Sequence, residues 1–129
     1  MPIVRIEDAA TRTPAQRQAI VHCVYDALRA VFGVSDEELQ ARYQRFAPED
    51  LLPPGGDPDY LHIEITVFAG RKPETKKKLY AKLAADLAAL LDIPPASVLI
   101  LLREEPAENW GMRGGQAASE IDFGYAISV

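Results

Sequence analysis

Apolar residues recur along this chain in two patterns. After Pro14, the positions Ile20, Val21, Val24, Leu28, Val31 and Phe32 fall three and four residues apart, one stripe of an α-helix. The same spacing returns 59 positions later, at Leu79, Tyr80, Leu83, Leu87, Leu90 and Leu91. The residues that open the two stretches also match, Thr11-Arg12-Thr13-Pro14 against Gly70-Arg71-Lys72-Pro73. Ahead of each helix lies a short β-rich stretch, residues 2–6 and 61–65, and behind each lies another, residues 42–46 and 98–102. The chain therefore reads as one β-α-β unit used twice.

The helix ends are marked chemically. Thr13-Pro14-Ala15-Gln16 predicts a capping box with proline at the first helical position, and Gly33 predicts a C-terminal cap. The second helix starts at Pro73 and must stop before Pro94-Pro95. A β-α-β crossover makes its two strands parallel. The expected fold is α+β: a two-layer, four-stranded sheet with both helices on one face and a pseudo-twofold between the halves. Residues 1–129 form a single domain, with half-repeats at about 2–47 and 60–129. Residues 48–59, rich in Pro, Gly and Asp, read as a surface connection. Residues 121–129 are apolar enough for a last short strand.

The sheet raises a question of cover. Two helices shield one face, yet residues 98–102 are apolar throughout, which predicts burial on both faces. Other subunits would cover the second face; the alternative is that the glycine-rich segment 108–118 and the tail fold back over it.

Composition narrows the classes. At 129 residues, 48% hydrophobic and 26% charged, the chain suits one globular domain. No run approaches the ~20 apolar residues of a membrane span, and the N-terminus lacks the features of a secretory signal. A single cysteine fits a reducing cytoplasm. A net charge of −5 without a basic stripe argues against nucleic acid. His22, Cys23 and His62 lack metal-ligand spacing.

Few residues suggest chemistry. Removal of Met1 would leave Pro2 as a terminal secondary amine, a potential general base; alternatively Pro2 merely begins an edge strand. Arg71, at a strand-to-helix turn, could hold a carboxylate through two hydrogen bonds, or be a solvated turn residue; Arg12 is its repeat mate. Trp110 and Met112, in a glycine-rich segment, could wall a small pocket or contact another subunit. Tyr43 could donate a proton, although tyrosine is common in strands. Cys23 reads as packed beside the helix core. Lys76-Lys77-Lys78 reads as a solvated helix face, and Glu104, Glu105 and Glu108 as a solvated acidic loop.

Together, the proline after the start methionine, the doubled unit, Gly70-Arg71 and the late Trp110-Gly111-Met112 segment with Gly114-Gly115 resemble the tautomerase superfamily. The second half is similar to the short 4-oxalocrotonate tautomerases, with Gly70-Arg71 on their carboxylate-binding arginine, Ser97-Val98 on the start of their second strand and Trp110-Gly111-Met112 on their pocket wall. Chain length and the patches Phe32-Gly33-Val34 and Arg42-Tyr43-Gln44 resemble the fused, malonate semialdehyde decarboxylase-like group. The resemblance implies a homotrimer without a cofactor, with Pro2 and Arg71 catalytic. Arg71, Trp110, Met112, Phe123 and Tyr43 would bind a small carboxylate substrate. The pattern also departs from the family. The first of the decarboxylase's two turn arginines falls on Ala69, and its aspartate falls near Ala41, with Asp36 and Glu37 close by. The dehalogenase histidine falls on Leu28, and the second arginine of the short tautomerases falls on Leu99.

The implied function is a keto–enol tautomerase acting on a small 2-keto acid such as phenylpyruvate. A decarboxylase or hydratase of a three-carbon oxo- or unsaturated acid is the alternative within the same chemistry. A non-catalytic oligomeric binding protein is the alternative outside it.

Overall fold

Each apolar stripe forms a helix of the same length. In a computed structural model, which describes residues 2–129, α1 spans Pro14–Phe32 and α2 spans Pro73–Leu91, 19 residues each and offset by 59 at both ends. The capping box of α1 is complete. Thr13 Oγ1 accepts from the Gln16 N–H at 3.2 Å, and Gln16 Oε1 accepts from the Thr13 N–H at 2.8 Å. Gly33 closes the helix at φ 68°, its N–H donating to the Arg29 carbonyl. α2 has proline in its first turn but no side-chain cap, and Asp92 ends it in the left-handed region at φ 53°.

Four strands form the sheet: β1 Ile3–Asp8, β2 Gln40–Arg45, β3 Leu61–Phe68 and β4 Val98–Glu105, in the order β2-β1-β3-β4. β1 pairs with β2 and β3 with β4 in parallel, as each crossover requires. The central seam, β1 against β3, is antiparallel, with Ile3 opposite Thr66 and Asp8 opposite Leu61. That seam relates the halves by a pseudo-twofold. It also sends the N-terminal ends of β1 and β2 to the same sheet end as the C-terminal ends of β3 and β4.

The core lies between sheet and helices. Val4, Ile6, Leu61, Ile63, Ile65 and Val67 face Ile20, Val24, Leu28, Leu79, Leu83 and Leu87, all at 0–1% exposure. Burial of each such side chain contributes about 1.5–3 kcal/mol. Cys23 packs beside this core. The other sheet face has no cover among the described residues. It carries Arg5, Glu7, His62, Glu64 and Arg103, with His62 Nδ1 3.2 Å from Glu7 and Arg103 Nε 3.1 Å from Glu64. The apolar run 98–102 of β4 is half-buried on one face only, through Val98, Ile100 and Leu102. Leu99 and Leu101 are 51% and 42% exposed, and the tail does not fold over them.

Other expectations need correction. β4 runs on to Glu105, so Glu104 and Glu105 belong to a strand, and Glu104 forms an ion pair with Lys76. Residues 121–129 form no strand. The Asp122 carboxylate accepts from the Gly124 N–H at 2.9 Å, and Gly124 has a φ of 75°, so a local turn replaces extended pairing. The segment instead crosses the turn between β3 and α2, where the Val129 carbonyl accepts from the Lys72 N–H at 2.9 Å. Gly70 is required beneath it: its φ is 137°, and an added Cβ would lie 3.1 Å from Ile127 Cγ2. Within residues 108–118, β5 Gly111–Met112 and β6 Gln116–Ala117 form a hairpin. No helix among the described residues is long and apolar enough to cross a membrane.

Candidate active site

The topology brings Pro2 and Arg71 to one end of the sheet. Ile3 is paired with Thr66 on β3 and Gln40 on β2, so Pro2 lies one step beyond both ladders. It is buried. Three residues past the end of β3, Arg71 begins the approach to α2. It is not a solvated turn residue but only 5% exposed, with its guanidinium carbon 4.5 Å from the centre of the Phe32 ring. Its Nη1 donates to the Phe68 carbonyl at 3.0 Å, while its Nε is buried without a hydrogen-bond partner. Burial pushes its pKa down, and the charges of Tyr125 and Glu104 push it back up. A buried guanidinium with an unused donor has the capacity to take one further acceptor, an anion included.

Aromatic rings form the wall. Trp110 meets Phe68 edge-on at 5.1 Å, and Phe123 meets it on another side at 5.2 Å. Tyr125 follows Phe123 at 6.2 Å, and burial raises its pKa, with Glu38 adding to the shift and Arg71 opposing it. The Arg113 guanidinium lies 5.4 Å over the Phe123 ring and 3.7 Å from Glu38. A cleft of about 400 Å³ opens here between Glu37, Glu38, Met112 and Arg113. The expected residues Pro2, Arg71, Trp110, Met112 and Phe123 thus lie at one end of the sheet.

Tyr43 does not join them within the chain. It is paired with Ile6, toward the opposite end of the sheet, and its hydroxyl donates to Asp8. Burial chiefly, then the hydrogen bond to Asp8, raises its pKa. Arg12, the repeat mate of Arg71, also binds Asp8 and so is no helper at this site.

Glu38, Tyr125 and Phe68 are absent from the sequence-based site. Glu38 lies two residues ahead of β2, at the end where Pro2 enters β1, and it is 6% exposed. In the run Asp36-Glu37-Glu38 it reads as one solvated acid among three. The available signal was its distance from the strand start. Asp36, by contrast, turns outward to Arg29. Among the described residues no cluster of His, Cys, Asp and Glu could hold a metal ion.

Comparison with known proteins bears on the family and the fold. A family model described as "Tautomerase enzyme" matches residues 40–113. A probable tautomerase of Ralstonia nicotianae is 36% identical over 52 residues, covering 40% of this chain and 74% of that protein. The 2-hydroxymuconate tautomerase of Comamonas testosteroni is 33% identical over 54 residues, covering 42% and 86%. Among solved structures, FG41 malonate semialdehyde decarboxylase inhibited by 3-bromopropiolate superposes with a TM-score of 0.79 at 26% identity, over 89% of this chain and 92% of that one. A fused 4-OT symmetric trimer gives 0.81 at 24% identity, over 91% and 96%.

Proposed function

The chain belongs to the tautomerase enzyme family, and from that premise we propose that it is a cofactor-independent enzyme moving a proton on a small 2-keto acid such as phenylpyruvate. One observation carries the reading: the buried Arg71 guanidinium keeps an unpartnered Nε at the sheet end where Pro2 enters.

Removal of Met1 makes the Pro2 nitrogen a secondary amine. An ordinary α-amino group titrates at about 7.7–8.0, and a proline amine somewhat above that. Burial and the Arg71 charge disfavour the cation and bring the amine toward neutrality. Arg71 holds the substrate carboxylate or keto oxygen and stabilises the enolate charge as it develops. Pro2 takes the proton from the enol hydroxyl and returns it to the neighbouring carbon. Trp110, Met112 and Phe123 exclude water, and Phe68 seats the arginine. The uncovered sheet face with Leu99 and Leu101 supports a homotrimer, the assembly named for fused 4-OT. A cytoplasmic location fits the free cysteine.

Glu38 favours a second reading. A buried carboxylate at the Pro2 end stabilises the ammonium form. A cationic Pro2 would act as an acid, in decarboxylation or hydration of a three-carbon oxo- or unsaturated acid.

The test pairs substrate with amine. The intact mass of the protein from its own cells should lack methionine, and 3-bromopropiolate should label Pro2. Phenylenolpyruvate should turn over faster than malonate semialdehyde, and Pro2→Ala should abolish turnover. The reverse preference, lost in Glu38→Gln, selects the second reading. Retained methionine, or full activity in Pro2→Ala, overturns both and leaves a binding protein.

A further inference from the structure

The repeat places a second arginine where Arg71 has its counterpart, and that arginine is occupied. Arg12 is 11% exposed, and its Nε lies 3.1 Å from Asp8 Oδ2. Asp8 is fully buried. Its carboxylate collects three donors: the Ala10 backbone N–H at 2.9 Å, Arg12 Nε and the Tyr43 hydroxyl. A turn amide, a guanidinium edge and a phenol converging on one point make a carboxylate pocket. The same atom decides the comparison. Nε of Arg12 is bound to a carboxylate, and Nε of Arg71 is buried with no partner. At the position matching Asp8, the other half has Val67.

We propose that Asp8 is a tethered carboxylate filling a second anion pocket, and that this pocket, once vacated, takes a small free monocarboxylate such as acetate or formate. The duplicated fold carries two arginine pockets, of which this chain closes one from within. Tyr43 also lines a surface cleft of about 550 Å³, bordered by Arg17, His22 and Tyr25. The Arg17 guanidinium puts a positive charge at its rim, which favours the approach of an anion. The inference rests on the contacts at Arg12 and stands whatever Arg71 binds.

Asp8→Ala removes the internal carboxylate and leaves the half-buried Arg12 guanidinium and Tyr43 hydroxyl around a void. The thermal midpoint of this variant is compared in acetate and in chloride at equal pH and ionic strength. A ligand that binds only the folded state raises that midpoint by mass action, here by roughly 5 °C once acetate is well above its dissociation constant. The wild type should not respond, because its own carboxylate is in place. The double variant Asp8→Ala, Arg12→Ala should not respond either. Asp8→Ser, a milder truncation, is run in formate beside it. Folding of either variant only in the carboxylate buffer also supports the proposal. Equal midpoints in both salts, an equal rise in the wild type, or failure of both variants to fold in either buffer overturns it.

Discussion

The turns at residues 8–12 and 67–71 hold the same place in the two halves, and each ends in an arginine, half-buried in the first and buried in the second. Four residues before Arg12 stands Asp8, whose carboxylate binds the guanidinium. Four residues before Arg71 stands Val67, 1% exposed, which offers nothing polar. Arg12 is therefore bound through Nε to Asp8, which Tyr43 also binds, and its Nη2 lacks a partner, whereas Arg71 has one backbone hydrogen bond and a ring beneath it. What an arginine at this turn does is set by the residue four positions earlier. One half uses its arginine to hold itself together, and the other leaves its arginine available.

Exchanging each arginine for methionine, similar in length, separates the two roles. Arg12→Met strands the Asp8 carboxylate in the core, and stability in urea should fall by about 3–5 kcal/mol while activity per folded molecule persists. Arg71→Met should behave in the opposite way. Its loss should lower kcat by roughly 10²–10³, and stability should hold or rise by about 1 kcal/mol, because a poorly paired buried charge is gone. If both variants lose stability equally, the two turns are equivalent and the contrast fails.

Smaller changes refine the picture. Tyr43→Phe deletes one hydrogen bond to a charged group and should cost about 1.5–3 kcal/mol at neutral pH. The tyrosine also titrates. Its folded pKa is raised above the ordinary 10.0, by burial and by Asp8. The proton is thus held more tightly in the folded state, and its contribution is present below pH 10 and lost as pH rises beyond it. Denaturation across that range should show a steeper alkaline loss in the wild type than in Tyr43→Phe. The smallest effect concerns Cys23, whose thiol burial pushes up to about 11, with Asp86 and Asp26 adding to the shift. Alkylation should be slow at pH 8 and should quicken only as pH approaches that value.

The elements were legible because local chemistry agrees with the global pattern. Thr13 with Gln16, Gly33, Pro14 and Pro73 fix the helix ends, and the stripe at Leu79, Leu83 and Leu87 fixes the buried face. β4 misled for a physical reason. Leu99 and Leu101 are apolar on a face that this single chain leaves open. The tail misled because Asp122 and Gly124 form a turn that outweighs the β-propensity around it. At the site, Arg71 could be named from its turn. Its burial could not, since that depends on Phe32 and on Ile127 and Val129 crossing the same turn from distant positions. Glu38 was hidden by its acidic neighbours. That Tyr43 lies toward the other end of the sheet within the chain was not legible, because sequence alone does not say toward which end a strand residue leans.

The exposed connection over residues 48–59 joins two halves that pack against each other across the β1–β3 seam and between α1 and α2. The peptide link therefore acts as a concentration device. A short tether holds one half at an effective concentration on the order of millimolar or above near the other. Cutting the connection would convert a unimolecular fold into a bimolecular one. Its melting point would then depend on dilution, and each half could be exchanged separately.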